Sequence, residues 1–396
     1  MKSKILTVAL LLASTSLTSR ADSIPSGFSR APEWRIGAEI SGAGVPQTNR
    51  FLKGSNPLDK PISASLAGDV RADFSFNPRT REGILYKGLY QGVGVGFNTF
   101  FAPSLTGTPV SAYVYQGAPF THFGKKLWLG YEWEFGAAMG WKHYDEDVAD
   151  YNTAIGTSVT AHMGISVKLH YALTERVEMS LGVSGRHFSN GNSEYPNAGV
   201  NTIGASIGVA YKLNPTKDAT VENKELELEA DRHGWFYDIM AFGAWRKRIV
   251  RVGESREAEL CPGKFGVLGL QFAPMYSLNR WVAIGPSLDL KWDESAGLEP
   301  YWVAGSHWDN IKFERPPFGK QISAGLAAHA ELTMPIFSLN AGIGFDVISP
   351  KGEKRFYQSL TLKTFVTDFL YINTGYRLGN FKDPQNLMLG IGVRLR

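Results

Sequence analysis

The chain has one cysteine, Cys261, in 396 residues. A lone thiol cannot close an intramolecular disulfide, so a disulfide scaffold is excluded. Long apolar runs are also missing. Beyond the N-terminal segment nothing approaches the ~20 consecutive apolar residues of a transmembrane helix. Charge of one sign is lacking as well, with 41 Lys and Arg against 37 Asp and Glu. That balance gives no case for nucleic-acid binding. Glycine (43 residues) and aromatics (12%) are plentiful. Glycine- and aromatic-rich segments of ~10 residues that alternate in polarity between turns are the signal of an all-β, antiparallel transmembrane β-barrel. A pair of soluble β-sandwiches is the competing reading, and the recurrence of the alternation almost throughout favours the barrel.

The N-terminus reads as a secretory signal over residues 1–21. Lys2 and Lys4 are basic, Ile5 to Ala13 is apolar, and Ser19-Arg20-Ala21 is a small-x-small cleavage site. Its removal takes Lys2, Lys4 and Arg20 with it and lowers the formal charge from +4 to +1. The expected location is the cell outer membrane.

One hairpin organises the rest, VEMSLGVSGRHFSNGNSEYPNAGVNTIGASIGVAYKL. Val177, Met179, Leu181 and Val183 share one face of its first limb. Ile203, Ala205, Ile207, Val209 and Tyr211 share one face of its second. Period two over this length is a half-buried strand signal. His187 and Ser189 continue the apolar face of the first limb, and Asn201 continues that of the second. Polar side chains on a wall that meets lipid are costly, which marks them as functional candidates.

The remaining chain reads as strands of the same kind. Before the hairpin they fall near Trp34–Ile40, Ser63–Phe76, Leu89–Phe97, Pro109–Gln116, Leu127–Trp141 and Val159–Tyr171. The fifth sets Leu127 to Trp141 outward at every second position and Glu132 and Glu134 inward. The sixth sends His162, Lys168 and His170 inward. The GVGVG of the third resembles a dinucleotide loop, but no helix pattern follows, and its glycines occupy the second face of a strand. An acidic stretch, residues 214–233, reads as a connector. Strands resume near 235–248, 264–277, 280–293, 319–333, 337–348, 355–367, 369–379 and 386–396, with His329 and Glu331 lining a lumen. The count is about 16 strands, eight in each half, closing as one larger barrel or two in tandem. Links after even strands are mostly short and several after odd strands are long, the asymmetry of outer-membrane barrels. With the N-terminus inside, loop 189–200 lies at the outer surface. The closing segment GYRLGNFKDPQNLMLGIGVRLR echoes the hairpin, Arg377 standing where Arg186 does, but without its His and Ser.

A serine nucleophile needs a base within hydrogen-bond reach, and the base needs an orienting partner. His187 is two residues from Ser189 on the same strand face, about 6.5–7 Å along the backbone. Asn201 lies on the neighbouring strand with the same facing. The loop Asn190 to Gly199 offers backbone N–H groups, Gly191 among them, and the amides of Asn190 and Asn197 as oxyanion donors.

HFSNGNSEYPNAGVN resembles the signature of the outer-membrane lipid A 3-O-deacylase (PagL) family and its longer, acyloxyacyl-hydrolase-like relatives, in the pattern H-x-S-N followed by P-N-x-G. The resemblance implies an outer-membrane esterase in which His187 is the base, Ser189 the nucleophile, and Asn190 and Asn197 serve the oxyanion site. It implies lipid A of the outer leaflet as substrate, with no metal and no cofactor. The family's third member, a glutamate two residues after the glycine of P-N-x-G, is Asn201 here. Glu194 in the loop is a second candidate for that role. The segments then read as a deacylase-like barrel over 22–213, the connector, and an additional barrel segment over 234–396. A non-enzymatic channel or structural barrel is the alternative. Of the charged loop, His143, Asp145, Glu146 and Asp147 read as solvated rather than cation-binding, and Cys261 has no assigned role.

Overall fold

In the computed structural model the described residues are 32–78, 80–145, 147–215, 233–252, 257–261, 263–302, 311–381 and 383–396. The expected signal peptide and most of the expected connector lie outside them.

The alternating segments form two closed eight-stranded antiparallel barrels. The first consists of β1 (Glu33–Gly44), β2 (Ala64–Ser75), β3 (Tyr90–Thr99), β4 (Gly107–Phe123), β5 (Leu127–Trp141), β6 (Val159–Ala172), β7 (Val177–Ser189) and β8 (Val200–Lys212). It closes because β1 pairs with β2 on one side and with β8 on the other. The second begins at β9 (Gly234–Arg246). A two-stranded ribbon, β10 (Ile249–Val252) and β11 (Glu257–Leu260), precedes β12 (Phe265–Ser277) and β13 (Val282–Asp293). A second ribbon, β14 (Glu299–Trp302) and β15 (Ile311–Glu314), precedes β16 (Ile322–Thr333), β17 (Phe337–Ile348), β18 (Phe356–Phe365), β19 (Leu370–Gly379) and β20 (Asp383–Leu395). Here β9 pairs with both β12 and β20. Of the two arrangements open to sixteen strands, the chain therefore adopts two separate barrels.

Period two sorts the side chains. Val70, Ile165, Val183 and Ile203 face outward and are each more than 60% exposed, whereas Asp69, Arg71, Glu132 and Lys168 are buried in the lumen. An eight-stranded barrel is just wide enough for side chains to fill it. In the first barrel Arg71 bonds Glu39 (3.0 Å) and Glu132, and Lys168 bonds Glu132 (2.8 Å) and Glu39. The hydroxyls of Tyr90, Tyr113 and Tyr115 donate to Glu132, Asp69 and Asp73. The inward glycines make room for this filling. A Cβ on Gly94 would meet the Tyr113 ring at 2.4 Å. The second barrel repeats the plan with Asp238, Lys363, Glu331 and Arg394.

Several boundaries differ from the sequence expectation. Strand β1 runs on to Gly44, so the first loop starts later, and β4 is 17 residues long because its pairing with β5 continues past Gln116 to Phe123, after the alternation has lapsed. Leu89 precedes β3 and is buried rather than lipid-facing. Trp141 is the clearest correction. Gly140 has φ of +97°, which breaks the alternation of β5. Met139 therefore stays outward, while Trp141 turns inward and is 3% exposed. Its Nε1 donates to Thr160 Oγ1 at 2.9 Å, and its ring packs on Phe100 and Phe188.

Trp141 belongs to an apolar cluster built at one end of the first barrel from long-loop residues. Val45, Phe51, Leu52 and Ile62 come from the first loop, Phe100 and Leu105 from the second, and Ala154 and Ile155 from the third. Phe188 and Val200, at the facing ends of β7 and β8, complete it. The long loops therefore carry their own core. In the charged loop the Asp145 carboxylate accepts from the N–H groups of Asp147 and Val148, closing a turn. Among the described residues no group of three acidic, His or Cys side chains is arranged to hold a metal.

Candidate active site

The ends of β7 and β8 place His187 directly opposite Asn201 in the ladder. The alternation sends Phe188 inward, with no exposed surface, and leaves His187, Ser189 and Asn201 outward and half-buried. His187 Nδ1 lies 2.7 Å from Asn201 Oδ1, and His187 Nε2 lies 2.9 Å from Ser189 Oγ. An amide oxygen can only accept, so Nδ1 carries the ring proton and Nε2 presents its lone pair. Ser189 then donates its hydroxyl hydrogen to Nε2. That direction of donation is what a nucleophile and base need.

The turn beyond Ser189 is held by its own side chains. The Asn190 N–H donates to Asn197 Oδ1 at 2.9 Å, and Asn190 Nδ2 donates to the Glu194 carbonyl at 3.0 Å. Gly191 follows at φ +62°. Gly199 has φ of +72°, and a Cβ there would lie 3.1 Å from His187 Cε1. Only glycine brings the returning chain this close to the imidazole. The Gly199 N–H donates to the Ala154 carbonyl at 2.9 Å, and Asn49 Nδ2 donates to the Gly199 carbonyl. The supporting residues Asn49, Ala154 and Phe188 escaped the sequence reading. Asn49 is 150 residues from Gly199, and no local pattern connects them.

Among the described residues two further Ser–His contacts occur, both inside lumens. His162 lies between Ser111 Oγ (2.9 Å) and Glu134 Oε2 (3.0 Å). His329 lies between Ser287 Oγ (2.9 Å) and Asn340 Oδ1 (2.6 Å). These histidines are 0% and 5% exposed, and their enclosure leaves no path for a substrate. They are lumen ties, as is His170 against Glu178. In the echo segment Arg377 is buried against Asp346, much as Arg186 is against Glu134 and Asp69. The next residue is Leu378, paired with Pro384, so the His–Asn pairing is absent there. Cys261 is buried, and that burial pushes its thiol up to about 11, which leaves it protonated and unreactive near neutrality.

Closed barrels with apolar walls, charged and packed interiors, and a Ser–His–Asn chain on one outer wall define a membrane β-barrel of the outer-membrane type. Residues 113–210 match the family model for lipid A 3-O-deacylase (PagL), and residues 235–396 match that for the acyloxyacyl hydrolase C-terminal domain. The chain belongs to this PagL-like family, and membership supports outer-membrane lipid A deacylase activity, a hydrolysis of lipid A esters. No curated protein matches the chain. Among solved structures, Neisserial surface protein A is similar at 14% identity over 46% of this chain and 97% of that one, with a TM-score of 0.29. A de novo designed transmembrane β-barrel is similar at 13% identity over 47% of this chain and 100% of that one, with a TM-score of 0.23. The siderophore receptor PirA from Acinetobacter baumannii is similar at 8% identity over 88% of this chain and 68% of that one, with a TM-score of 0.23.

Proposed function

We propose that the protein is a serine esterase that removes an ester-linked acyl chain from lipid A, working on the outer wall of its first barrel within the membrane plane. One observation carries this reading. The chain Asn201–His187–Ser189 is in hydrogen-bond contact throughout and stands on the face that the barrel turns to lipid. Acyl esters lie at that depth, and an exterior nucleophile meets them without extracting the lipid.

Ser189 Oγ attacks the acyl carbonyl while its proton passes to His187 Nε2. The tetrahedral intermediate collapses, and His187 returns the proton to the departing sugar oxygen. Water, deprotonated by His187, then releases the fatty acid from Ser189. Asn201 holds the Nδ1–H tautomer but supplies no negative charge to the imidazolium. We assign the Asn197 amide, whose oxygen accepts from the Asn190 N–H, and the Gly191 N–H as the donors to the oxyanion. The packed, ion-paired lumen gives the channel alternative no support.

Lipid A from cells producing the wild type is expected to lose the mass of one acyl chain, and lipid A from cells producing Ser189→Ala to keep it. Unchanged lipid A from both, over several acylation patterns, would sink the proposal. Asn201→Ala frees the imidazole to rotate or change tautomer, and kcat should fall about 10- to 100-fold, less than the ~10⁴-fold lost with an ionised orienting carboxylate because Asn201 supplies no charge. Asn201→Asp, which retains the acceptor, should not show that fall. Equal losses for the two variants would remove Asn201 from the relay.

A further inference from the structure

We propose that the outer rim of the second barrel, above β16, β17 and β18, is a docking surface for a phosphate-bearing lipid of the outer leaflet, with Lys320, Lys354 and Arg355 as its phosphate contacts. The surface uses only the barrel's place in the membrane and does not rest on the esterase reading. The topology builds it. The links 247–264, 294–321 and 349–355 leave one end of this barrel and are the longer ones, whereas the links 278–281, 334–336 and 366–369 at the other end are short. The long-link end is the outer one. Lys320 stands at the start of β16, Lys354 and Arg355 stand at the start of β18, and β17 pairs with both strands. Adjacent strands lie about 4.8 Å apart, so the three cations share a rim about 10 Å wide. All three are exposed, and none of their side chains pairs with a described residue. The described acids nearby are mostly taken. Glu294 is held by Arg315 at 2.6 Å, Glu353 by Arg248 at 2.6 Å and Glu299 by Lys351 at 3.1 Å. Glu314 is exposed and has no such pair, which leaves the rim with a surplus of positive charge.

Aromatic residues fix the depth of these cations. Phe318 is 64% exposed, stacks on Trp292 with ring centroids 5.8 Å apart, and lies two residues before Lys320. Phe356 follows Arg355 directly and packs edge-on against Phe381, which is 65% exposed. Aromatic girdles of membrane barrels sit at the interface, so the cations beside them meet headgroups. Leu326, Phe345, Val347 and Ile348 on the same strands are exposed and apolar. A free phosphate would use the charges alone. A phosphorylated lipid uses both parts of the surface, its phosphates on the cations and its hydrocarbon against the apolar wall. The first barrel differs in sign, since its third loop exposes Asp145, Asp147 and Asp150. Each Lys or Arg beside an anionic lipid surface strengthens binding about fivefold, so three together give on the order of 100-fold at low salt.

The full-length chain carrying Ser189→Ala, so that hydrolysis plays no part, is titrated in a neutral detergent with phosphorylated lipid A and with the same lipid A after its phosphates are removed. Lys320→Gln, Lys354→Gln and Arg355→Gln together should weaken binding of the phosphorylated lipid at least tenfold. Lys87→Gln, Lys125→Gln and Lys126→Gln, three exposed cations at the inner end of the first barrel, should leave it within twofold. Removing the lipid's phosphates should reproduce the loss in the parent chain and change binding by the triple rim variant less than twofold. Undiminished binding by the rim variant, or of the dephosphorylated lipid by the parent, overturns the proposal. Displacement of the lipid by millimolar inorganic phosphate overturns the lipid as occupant. The dephosphorylated-lipid arm alters no residue of the rim, so it decides even where the triple variant fails to fold. Failure of the esterase reading leaves each of these outcomes unchanged.

Discussion

His187→Ala is expected to lower kcat for acyl release by about 10⁴- to 10⁶-fold, as Ser189→Ala does, and the double variant is expected to be no slower than either single one. The reason is the single relay they form. Without His187 the Ser189 hydroxyl keeps its proton and attacks poorly. Without Ser189 there is nothing for His187 to activate. What remains after either change is the contribution of binding and of the oxyanion donors, which neither substitution touches. The 2.9 Å contact between Nε2 and Oγ is the physical link that makes the losses non-additive. Burst or single-turnover kinetics of refolded protein on lipid A in mixed micelles would measure it. Losses that multiply in the double variant would show that the two residues act separately.

The largest stability effect is expected from the lumen. Lys168→Leu should destabilise the first barrel by about 3–5 kcal/mol, the cost of breaking a buried ion pair from one side. Lys168 is 1% exposed and bonds both Glu39 and Glu132, which without it keep Arg71 as their ion-pair partner. Two carboxylates enclosed within the barrel then face one guanidinium. Lys363 in the second barrel stands in the same relation to Asp238 and Glu331, with Arg394 as the remaining cation. Denaturant unfolding in detergent, followed by the heat-modified shift on gels, would report the change. A Lys168→Leu protein that unfolds with the wild type would mean the lumen charges are hydrated rather than tied.

The chain is a membrane β-barrel protein on the evidence of period alone. Alternation decides which side of a strand each residue takes, and a strand buried in lipid on one face tolerates few exceptions. Thus Glu132, Glu134, His162, Lys168 and His170 could be assigned to the interior, and His187, Ser189 and Asn201 to one face, before any contact was known. Trp141 departed from the pattern because Gly140, at φ +97°, shifts the phase of everything after it. A glycine in sequence does not reveal which sign of φ it will take.

The pairing of strands was beyond the reach of the sequence, because register is set between segments far apart in the chain. Lys168 and Glu39 are 129 residues apart, and Asn49 and Gly199 are 150 apart. No periodicity says whether the eighth strand continues to the ninth or returns to the first. Barrel closure decides that, since a free edge of unpaired backbone groups cannot persist in hydrocarbon. The candidate site divides the same way. Its residue types, spacing and common face were local, and so legible in the sequence. The 2.7 Å bond between Nδ1 and Asn201, the loop core beneath Phe188, and the separation of the relay from the two enclosed Ser–His ties came only from tertiary structure. Each depends on which strand lies beside which.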